Sequence, residues 1–212
     1  MYPINIKIHG LPCLVIGGGH VALRKIKKLI AEGAHVTVLA PEVIEEVRVL
    51  SKEGEIDWRE SCFTDNDCLG YQLVITASGV RDVAEKVHRA ALENHFLYNA
   101  ADFPSLGNCS LPASFSSNGI QIAVSTGGRS PAMARYVKEW LQKEIPDTFG
   151  LWLDRVSTIR IELKSQMESS QVREAFWRFA FGPAIMQLVA QGKIDEAEEC
   201  VRHAISRFGT ES

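Results

Sequence analysis

Apolar positions along this chain follow two spacings, and the alternation between them outlines its elements. Short apolar or β-branched runs, typical of strands buried in a parallel sheet, occur at residues 14–16, 36–39, 71–77 and 96–99. Stretches with apolar residues every three or four positions, typical of amphipathic helices, occur at residues 20–32, 42–54 and 81–94. Strand and helix thus alternate over the first hundred residues, which predicts an α/β fold with a parallel sheet between helices.

Weaker patterns refine this prediction. Residues 4–8 alternate apolar and polar side chains, which predicts a short edge strand ahead of the first buried one, and residues 56–58 predict another short strand. The spacing of the first helix assigns four side chains to its buried face: Val21, Ile26, Leu29 and Ile30.

The pattern changes after residue 102. A Ser-Asn-Gly turn separates two short predicted strands, which predicts a hairpin over residues 110–125, and Pro131 opens a predicted helix that extends to residue 143. Residues 144–147 look like a linker, and the remaining elements are all predicted helices, over residues 149–166, 172–192 and 193–209.

The run of three glycines after the first strand carries the first chemical signal. Residues 17–19 join a buried strand to a helix in the pattern G-x-G-x-x-A. Gly17 suits an abrupt turn, Gly19 lets the main chain approach a pyrophosphate, and Ala22 lets the helix pack closely on the strand. A second β-branched strand follows about twenty residues later, as a dinucleotide site requires. The motif favours a Rossmann-type domain, and an ordinary strand-to-helix turn is the alternative.

The second strand lacks the acidic residue that usually holds the adenine ribose. It ends Leu39-Ala40-Pro41-Glu42, so Glu42 lies slightly beyond the standard place. No arginine stands beside it to accept a 2′-phosphate, but these residues by themselves leave NAD and NADP both open.

Three strand ends are expected to meet in one crevice, because ligands of such sheets bind at the carboxyl ends of the strands. They are the glycine turn with Gly17 and Gly19, the residues Thr76, Ala77 and Ser78, and the stretch that ends at Asp102. Asp102 is the candidate catalytic carboxylate, and a partly desolvated crevice would favour it as a base. The alternative is an aspartate that stiffens the turn at Pro104, since turns favour Asp for backbone reasons.

Composition excludes several classes of protein. The chain has 212 residues, of which 46% are hydrophobic, and a net charge of -3, which argues against a nucleic-acid-binding surface. Its apolar runs are too short to cross a membrane, and residues 1–10 lack the layout of a signal peptide, so we expect a cytoplasmic protein. Neither the five scattered cysteines nor the six histidines have metal-ligand spacing, so we expect no metal site.

Two further features leave alternatives open. Residues 125–131 form a polar, glycine-rich loop whose Arg129 could hold an acidic group with the following helix N-terminus, or could belong to an ordinary loop-to-helix junction. The aromatic cluster at Phe176, Trp177, Phe179 and Phe181 is typical of a core or a subunit interface, with a ring-stacking cofactor site as the alternative.

Three stretches, in this order, resemble the precorrin-2 dehydrogenases of sirohaem synthesis: VIGGGHVALRKIKKLIAEGAHVTVLAPE, NAADF and IAVSTGGRSPAMARYVKEWL. The similarity spans residues 1 to about 145. It implies NAD-dependent oxidation of precorrin-2 to sirohydrochlorin. Some members of that family, including the N-terminal half of fused sirohaem synthases, also insert iron into the product. The chain has no room for the methyltransferase module of those fusions, so a stand-alone enzyme is expected.

The resemblance also implies roles for individual residues. Asp102 matches the family's essential aspartate, proposed as general acid/base in both dehydrogenation and iron insertion. The positions that contact NAD in the family are matched by His20, Val21, Pro41 and Glu42. Thr126 stands where the fused bacterial enzyme has a serine reported as a phosphorylation site, so that control is in doubt here.

The resemblance implies a homodimer as well, because the family's middle segment exchanges between two subunits. We therefore expect an NAD-binding Rossmann domain at residues 1–110, a small α+β dimerisation segment at 111–145 and a C-terminal helical domain at 146–212. Because the macrocycle carries eight carboxylates, we nominate three cations in or after the glycine-rich loop as its ligands: Arg129, Arg135 and Lys138.

Two questions stay open at this point. The chain could also insert Fe²⁺ into sirohydrochlorin, since a chelatase needs a group that accepts pyrrole protons. The alternative from another class is a regulatory module that senses NAD(H) and gates a partner without turnover, since such a module needs the glycine turn but neither Asp102 nor the segment at residues 125–131.

Overall fold

A computed structural model describes residues 1–163 and 169–209, with side chains up to residue 205. The chain forms two compact units, Met1–Leu111 and Pro112–Ser212. Within the described residues, none of the helices is both long and apolar enough to span a bilayer.

The first unit is a five-stranded sheet flanked by helices. Its strands are β1 (Pro12–Ile16), β2 (His35–Leu39), β3 (Asp57–Arg59), β4 (Leu73–Thr76) and β5 (Leu97–Ala100). Its helices are α1 (His20–Ala31), α2 (Glu45–Lys52) and α3 (Arg81–Asn94), and a short 3-10 turn, Pro104–Leu106, follows β5. The strand order is β3-β2-β1-β4-β5, with all pairs parallel. This is the predicted Rossmann-type sheet.

The central strand divides its side chains between two apolar layers. Cys13 and Val15 belong to the cluster that contains the buried side of α1, while Leu14 and Ile16 belong to the cluster that contains Val87 and Ala91 of α3. Because successive side chains of a strand point to opposite faces, an uninterrupted apolar run fills both layers. Because all of its strands are parallel, their carboxyl ends lie at one edge of this buried sheet.

Two local predictions in this unit were wrong. Residues 4–8 lie outside the strands, because alternation produces a strand only where a neighbouring edge pairs with it. Val21 is 36% exposed, whereas the buried stripe of α1 consists of Ala22, Leu23, Ile26 and Leu29. The helix begins at His20 directly after an extended Gly19, and this start turns the second helical residue away from the sheet.

The second unit begins with the predicted hairpin. Strands β6 (Ala113–Ser117) and β7 (Ile120–Val124) pair antiparallel, and the turn residues Asn118 and Gly119 both have positive φ, as a tight two-residue hairpin requires. Helix α4 (Pro131–Glu144) contacts both strands. Its N-terminus is capped by Ser130, whose hydroxyl accepts the N–H of Met133 at 3.2 Å.

Four helices complete the second unit. They are α5 (Thr148–Leu163), α6 (Ser170–Ala180), α7 (Pro183–Ala190) and α8 (Ile194–Gly209). Their shared core is centred on Trp152, Ile159 and Phe176, each at most 1% exposed. Part of the predicted helix 149–166, residues 164–166, lies outside the described residues.

Two predictions for this unit need correction. The predicted helix over residues 172–192 is two helices, because Pro183 cannot continue α6 and instead starts α7 at its first position. The expected linker at residues 144–147 is anchored: Asp147 accepts the hydroxyl of Ser117 at 2.7 Å and, through its carbonyl, the amide of Asn118 at 3.1 Å. The hairpin turn is thus bound to the start of α5.

Candidate functional site

The turn after β1 is shaped by close approach to the end of β4. Gly17 has φ +124 and donates its N–H to the carbonyl of Leu39 at 3.0 Å. A Cβ at this position would clash with the backbone carbonyl of Ala77. Only glycine combines this φ with this approach, so position 17 brings the ends of β1, β2 and β4 together.

The loop after β2 packs on the same turn. A Cβ on Gly18 would clash with the carbonyl of Glu42 and with Val43, and Ile44 donates its N–H to the carbonyl of Gly18 at 2.9 Å. Pro41 and Glu42 are both exposed at this edge. The structure thus brings two predicted cofactor residues to the glycine turn.

Gly19 has the opposite surroundings. It precedes α1 with φ −91, and a Cβ placed on it would meet no heavy atom within 4 Å in the described part of the chain. His20 and Val21 follow with exposed side chains, whereas Ala22 is fully buried against the sheet. The first-turn N–H groups of a helix have no helical partners, so this open space suits a pyrophosphate. The residues present therefore fit a dinucleotide.

Thr76 lies at the end of β4, but its side chain points into the fold. It is 2% exposed, and its hydroxyl is 2.9 Å from the hydroxyl of Tyr98, which in turn donates to the carbonyl of Ala84 at 3.1 Å. Burial raises the pKa of Tyr98. The side chain of Thr76 thus joins β4, β5 and α3, and it does not line the crevice as the sequence suggested.

The two residues after Thr76 stay at the edge of the sheet. Ala77 donates its N–H to the carbonyl of Ile16 at 2.8 Å, which continues the pairing of β4 with β1. Ser78 is half-buried, and its hydroxyl accepts the N–H of Val80 at 3.3 Å. Both residues therefore lie beside the glycine turn.

Asp102 is exposed at the carboxyl end of β5, and its Oδ2 accepts the N–H of Gly79 at 2.7 Å. This bond crosses from the loop after β5 to the loop after β4. Main-chain hydrogen bonds close the turn that follows, with Leu106 donating to the carbonyl of Phe103 at 2.9 Å. The carboxylate thus reaches a neighbouring loop, and the expectation that it lies in a partly desolvated place was wrong.

Gly79 is a site residue that sequence reasoning missed. It has φ +70, and its N–H is the donor to Asp102. The signal was present in the Ser-Gly pair directly after a buried strand, at the same edge as Asp102. The pair indicates a turn but does not reveal which side chain the turn would bind.

The three nominated cations lie in the second unit. Arg129 is exposed in the loop before α4 and donates its Nε–H to the carbonyl of Thr126 at 3.1 Å. Arg135 is exposed and Lys138 is half-buried, three positions apart on α4. Their spacing places the latter two on one face of that helix.

Thr126 closes the glycine-rich loop. Its hydroxyl accepts the N–H of Ser130 and donates to the carbonyl of the same residue, both at 3.1 Å. Gly127 and Gly128 both have positive φ in the same loop. The hydroxyl at position 126 therefore helps to hold the loop that carries Arg129.

Within residues 1–163 and 169–209, no group of three or more His, Cys, Asp or Glu side chains is arranged to hold a metal ion. Burial raises the pKa of Cys13 to about 11 and that of Cys68 to about 12, so both stay protonated near neutral pH.

Comparison with known proteins supplies three family matches in chain order. Residues 4–113 match the family described as "Putative NAD(P)-binding". Residues 117–144 match "Sirohaem biosynthesis protein central", and residues 148–205 match "Sirohaem synthase dimerisation region". The region described as dimerisation is thus residues 148–205, whereas the resemblance assigned dimerisation to residues 111–145.

Individual proteins agree with these matches. The chain is 34% identical over 203 residues to a siroheme synthase of Methylococcus capsulatus, covering 95% of this chain and 43% of that protein. It is 32% identical over 204 residues to one of Pseudomonas aeruginosa, covering 96% of this chain and 44% of that protein. The chain therefore spans less than half the length of these curated relatives.

A solved structure matches along nearly its whole length. It is that of SirC, a precorrin-2 dehydrogenase, with a TM-score of 0.76 and 26% sequence identity. The match covers 94% of this chain and 99% of the SirC chain.

Proposed function

The chain belongs to the family described as putative NAD(P)-binding, with matches to the central and dimerisation regions of sirohaem synthesis after it. From that premise we propose that it is an NAD-dependent oxidoreductase that converts precorrin-2 to sirohydrochlorin. The observation that carries this proposal is the bond between Asp102 and Gly79 at the same sheet edge as the glycine turn. A dinucleotide pocket and an accessible carboxylate at one edge are what a dehydrogenase needs, whereas an NAD(H) sensor needs only the pocket.

The cofactor assignment follows from the backbone angles and the surroundings of the three glycines. In this proposal the open space at Gly19 and the free N–H groups of α1 hold the pyrophosphate, with His20 and Val21 beside it. Pro41 and Glu42 contact the adenosine half, while Ala77 and Ser78 border the same crevice. When bound, NAD supplies the acceptor for a hydride.

Asp102 is the proposed base. Oxidation of the macrocycle removes two electrons with a hydride and also releases a proton, and the Asp102 carboxylate accepts that proton. The Gly79 N–H holds Oδ2, which leaves Oδ1 to face the substrate, and the exposed position allows a large ring to approach. General base catalysis of this kind contributes about 10²- to 10⁴-fold in rate.

Substrate recognition is assigned to cations of the second unit. Arg129, Arg135 and Lys138 would pair with carboxylates of the macrocycle, because charge-assisted hydrogen bonds to carboxylates are the strong ones. Arg129 uses Nε for the carbonyl of Thr126, so its two terminal nitrogens remain available to a carboxylate in this proposal.

A homodimer is the proposed assembly, and the middle segment at residues 111–145 is proposed to contribute to it. Helix α4 carries three large exposed side chains at helical spacing, Met133, Tyr136 and Trp140, exposed by 54%, 67% and 53%. An apolar stripe of this kind on a helix marks a protein contact surface.

The three-part division of the chain and the cytoplasmic location also remain predictions from the sequence.

Insertion of Fe²⁺ into sirohydrochlorin is a finer part of the same proposal. Asp102 would then take protons from the pyrrole nitrogens as the metal enters. The metal is a substrate in that reaction, so it requires no resident metal site.

The deciding experiment measures NADH formation from precorrin-2 and NAD with the wild type, Asp102→Asn and Asp57→Asn. Asp57 is an exposed aspartate on the opposite edge strand, β3, so its substitution controls for the loss of a charge. We expect Asp102→Asn to lower kcat by about 10²-fold or more while NAD binding persists, and Asp57→Asn to remain active.

Other outcomes would contradict specific parts of the proposal. A wild type that binds NAD but never oxidises precorrin-2 would favour the sensor. Full activity of Asp102→Asn would remove this carboxylate from the mechanism. Repeating the assay with sirohydrochlorin and Fe²⁺ tests whether metal insertion uses the same group.

A further inference from the structure

The loop that carries Asp102 has a fixed base and a separate tip. At the base, Ala101 donates its N–H to the carbonyl of Thr76 at 2.9 Å, and Asn108 donates to the carbonyl of Tyr98 at 3.0 Å. Both bonds attach the loop to the sheet. The tip, residues 102–106, extends beyond the strands.

A histidine on α3 binds this tip. Nδ1 of His88 lies 2.6 Å from the carbonyl oxygen of Leu106, and the histidine is half-buried. A carbonyl oxygen can only accept, so Nδ1 carries the proton in this bond. The guanidinium of Arg81 lies over the ring of Phe103, with 5.7 Å between the guanidinium carbon and the ring centroid. Side chains of one helix therefore contact the tip at two points.

The same helix is linked to the carboxylate through its N-terminal end. Gly79, the donor to Asp102, lies two residues before Arg81, the first residue of α3. His88 is two turns further along, and its acceptor Leu106 lies four residues after Asp102. Contacts thus link α3, or the residues just before it, to both ends of the tip that carries the carboxylate.

From this arrangement we infer that His88 is a positioning residue for Asp102, acting through the carbonyl of Leu106. The role of Asp102 as a base rests on the proposed function, whereas the bond between His88 and Leu106 does not. A misplacement of about 1 Å caused by a distant substitution can cost about 10²-fold in rate. His88 should therefore affect kcat more than the affinity for either substrate.

The test compares His88→Leu, His88→Asn and Asn94→Leu. Leucine removes the donor, while the Nδ2 of asparagine occupies about the same place as the Nδ1 of histidine and can restore it. Asn94 donates its amide to the carbonyl of Ala90 at 3.0 Å, a bond within α3 itself, so its loss is a matched control.

With precorrin-2 and NAD, we expect His88→Leu to lower kcat about 10- to 100-fold with KM and the Kd for NAD changed less than about threefold. His88→Asn should recover most of the rate, and Asn94→Leu should equal the wild type. Equal losses in His88→Leu and Asn94→Leu, or loss of kcat in His88→Leu without recovery in His88→Asn, would overturn the inference.

A second measurement works without turnover. Exchange of the Gly79 amide hydrogen reports its bond to Asp102, and we expect His88→Leu to accelerate it at least about tenfold, with His88→Asn and Asn94→Leu close to the wild type. If the wild type fails to oxidise precorrin-2, the proposed function falls and this exchange still tests His88. If the wild type is active but His88→Leu changes neither rate, the positioning role falls alone.

Discussion

The two units use their residues for binding in different ways. In the first unit the candidate site is mainly backbone: Gly17 at φ +124, open space at Gly19, and the Gly79 N–H that holds Asp102. In the second unit the candidate residues are projecting side chains, such as Arg129 and the α4 stripe of Met133, Tyr136 and Trp140.

Exposed aromatic side chains show the same contrast. Among the described side chains, the first unit exposes Tyr2 near its N-terminus, whereas the second exposes Tyr136, Trp140, Phe179 and Phe181. The parallel sheet buries the apolar side chains of its strands in two internal layers, while the helical unit has large aromatic rings on its surface. Substitution of Gly17 in the first site should therefore affect the fold itself, whereas substitutions on the second surface should affect contacts alone.

The largest effect is expected at Gly17. Alanine there combines a disfavoured φ with a clash against the carbonyl of Ala77, so Gly17→Ala should lower the free energy of unfolding by about 3 kcal/mol or more. Urea denaturation measures this loss. Gly19→Ala is the matched control: its φ and its surroundings accept a Cβ, so stability should change by less than about 0.5 kcal/mol.

The same control separates folding from binding. The methyl group of Gly19→Ala would fill the space that we assign to the pyrophosphate, so the Kd for NAD should rise on the order of tenfold while the fold persists. Calorimetry with NAD checks this. Unchanged NAD affinity in a stable Gly19→Ala protein would contradict the assignment of that space.

The next largest effect concerns assembly. Placing a charge in the α4 stripe with Trp140→Glu should weaken the proposed dimer by about 2–4 kcal/mol, because tryptophans that become buried in an interface are frequent hot spots. Analytical ultracentrifugation at several concentrations measures the shift to monomer. Leu92→Glu replaces a 60% exposed side chain on α3 of the first unit and should leave the mass of the assembly in solution unchanged. Equal behaviour of the two variants would remove the contrast between the units.

A smaller effect is expected for substrate binding. Arg129→Ala should raise KM for precorrin-2 about tenfold, with kcat and the melting temperature nearly unchanged, because it removes one charge-assisted contact. Lys143→Ala removes an exposed cation from the far end of α4 and serves as the control. A KM that stays the same in Arg129→Ala would take this residue out of the substrate site.

The smallest effect tests the core of the first unit by pH. Cys13 and Cys68 are fully buried, and burial raises their pKa values from 9.0 to about 11 and about 12. In the unfolded chain these thiols ionise near pH 9, so unfolding releases protons above that pH and stability falls as pH rises. We expect a loss of about 1 kcal/mol per thiol between pH 8 and 10 in urea denaturation. Cys13→Ala should reduce this slope, whereas Cys200→Ala, at an exposed position of the second unit, should not.

Periodicity and glycine placement determined the main outline of this protein. Consecutive apolar residues at 14–16 and 36–39 predicted the buried strands, and the bounds of α3 follow its spacing. The position of Asp102 at the same sheet edge as the glycine turn was also predictable, because the carboxyl ends of parallel strands share one edge. These features depend on residues that are close in sequence and on a general rule of sheet geometry.

The tertiary structure decided what each side chain contacts. Thr76 and Ala77 are neighbours in sequence, yet the hydroxyl of Thr76 binds Tyr98 inside the fold while the carbonyl of Ala77 borders Gly17. The donor to Asp102 is 23 residues away, and the acceptor of His88 is 18 residues away. Such partners depend on which loops meet after the sheet has formed. A spacing of residues along one segment carries no information about that meeting, because the partner belongs to another segment.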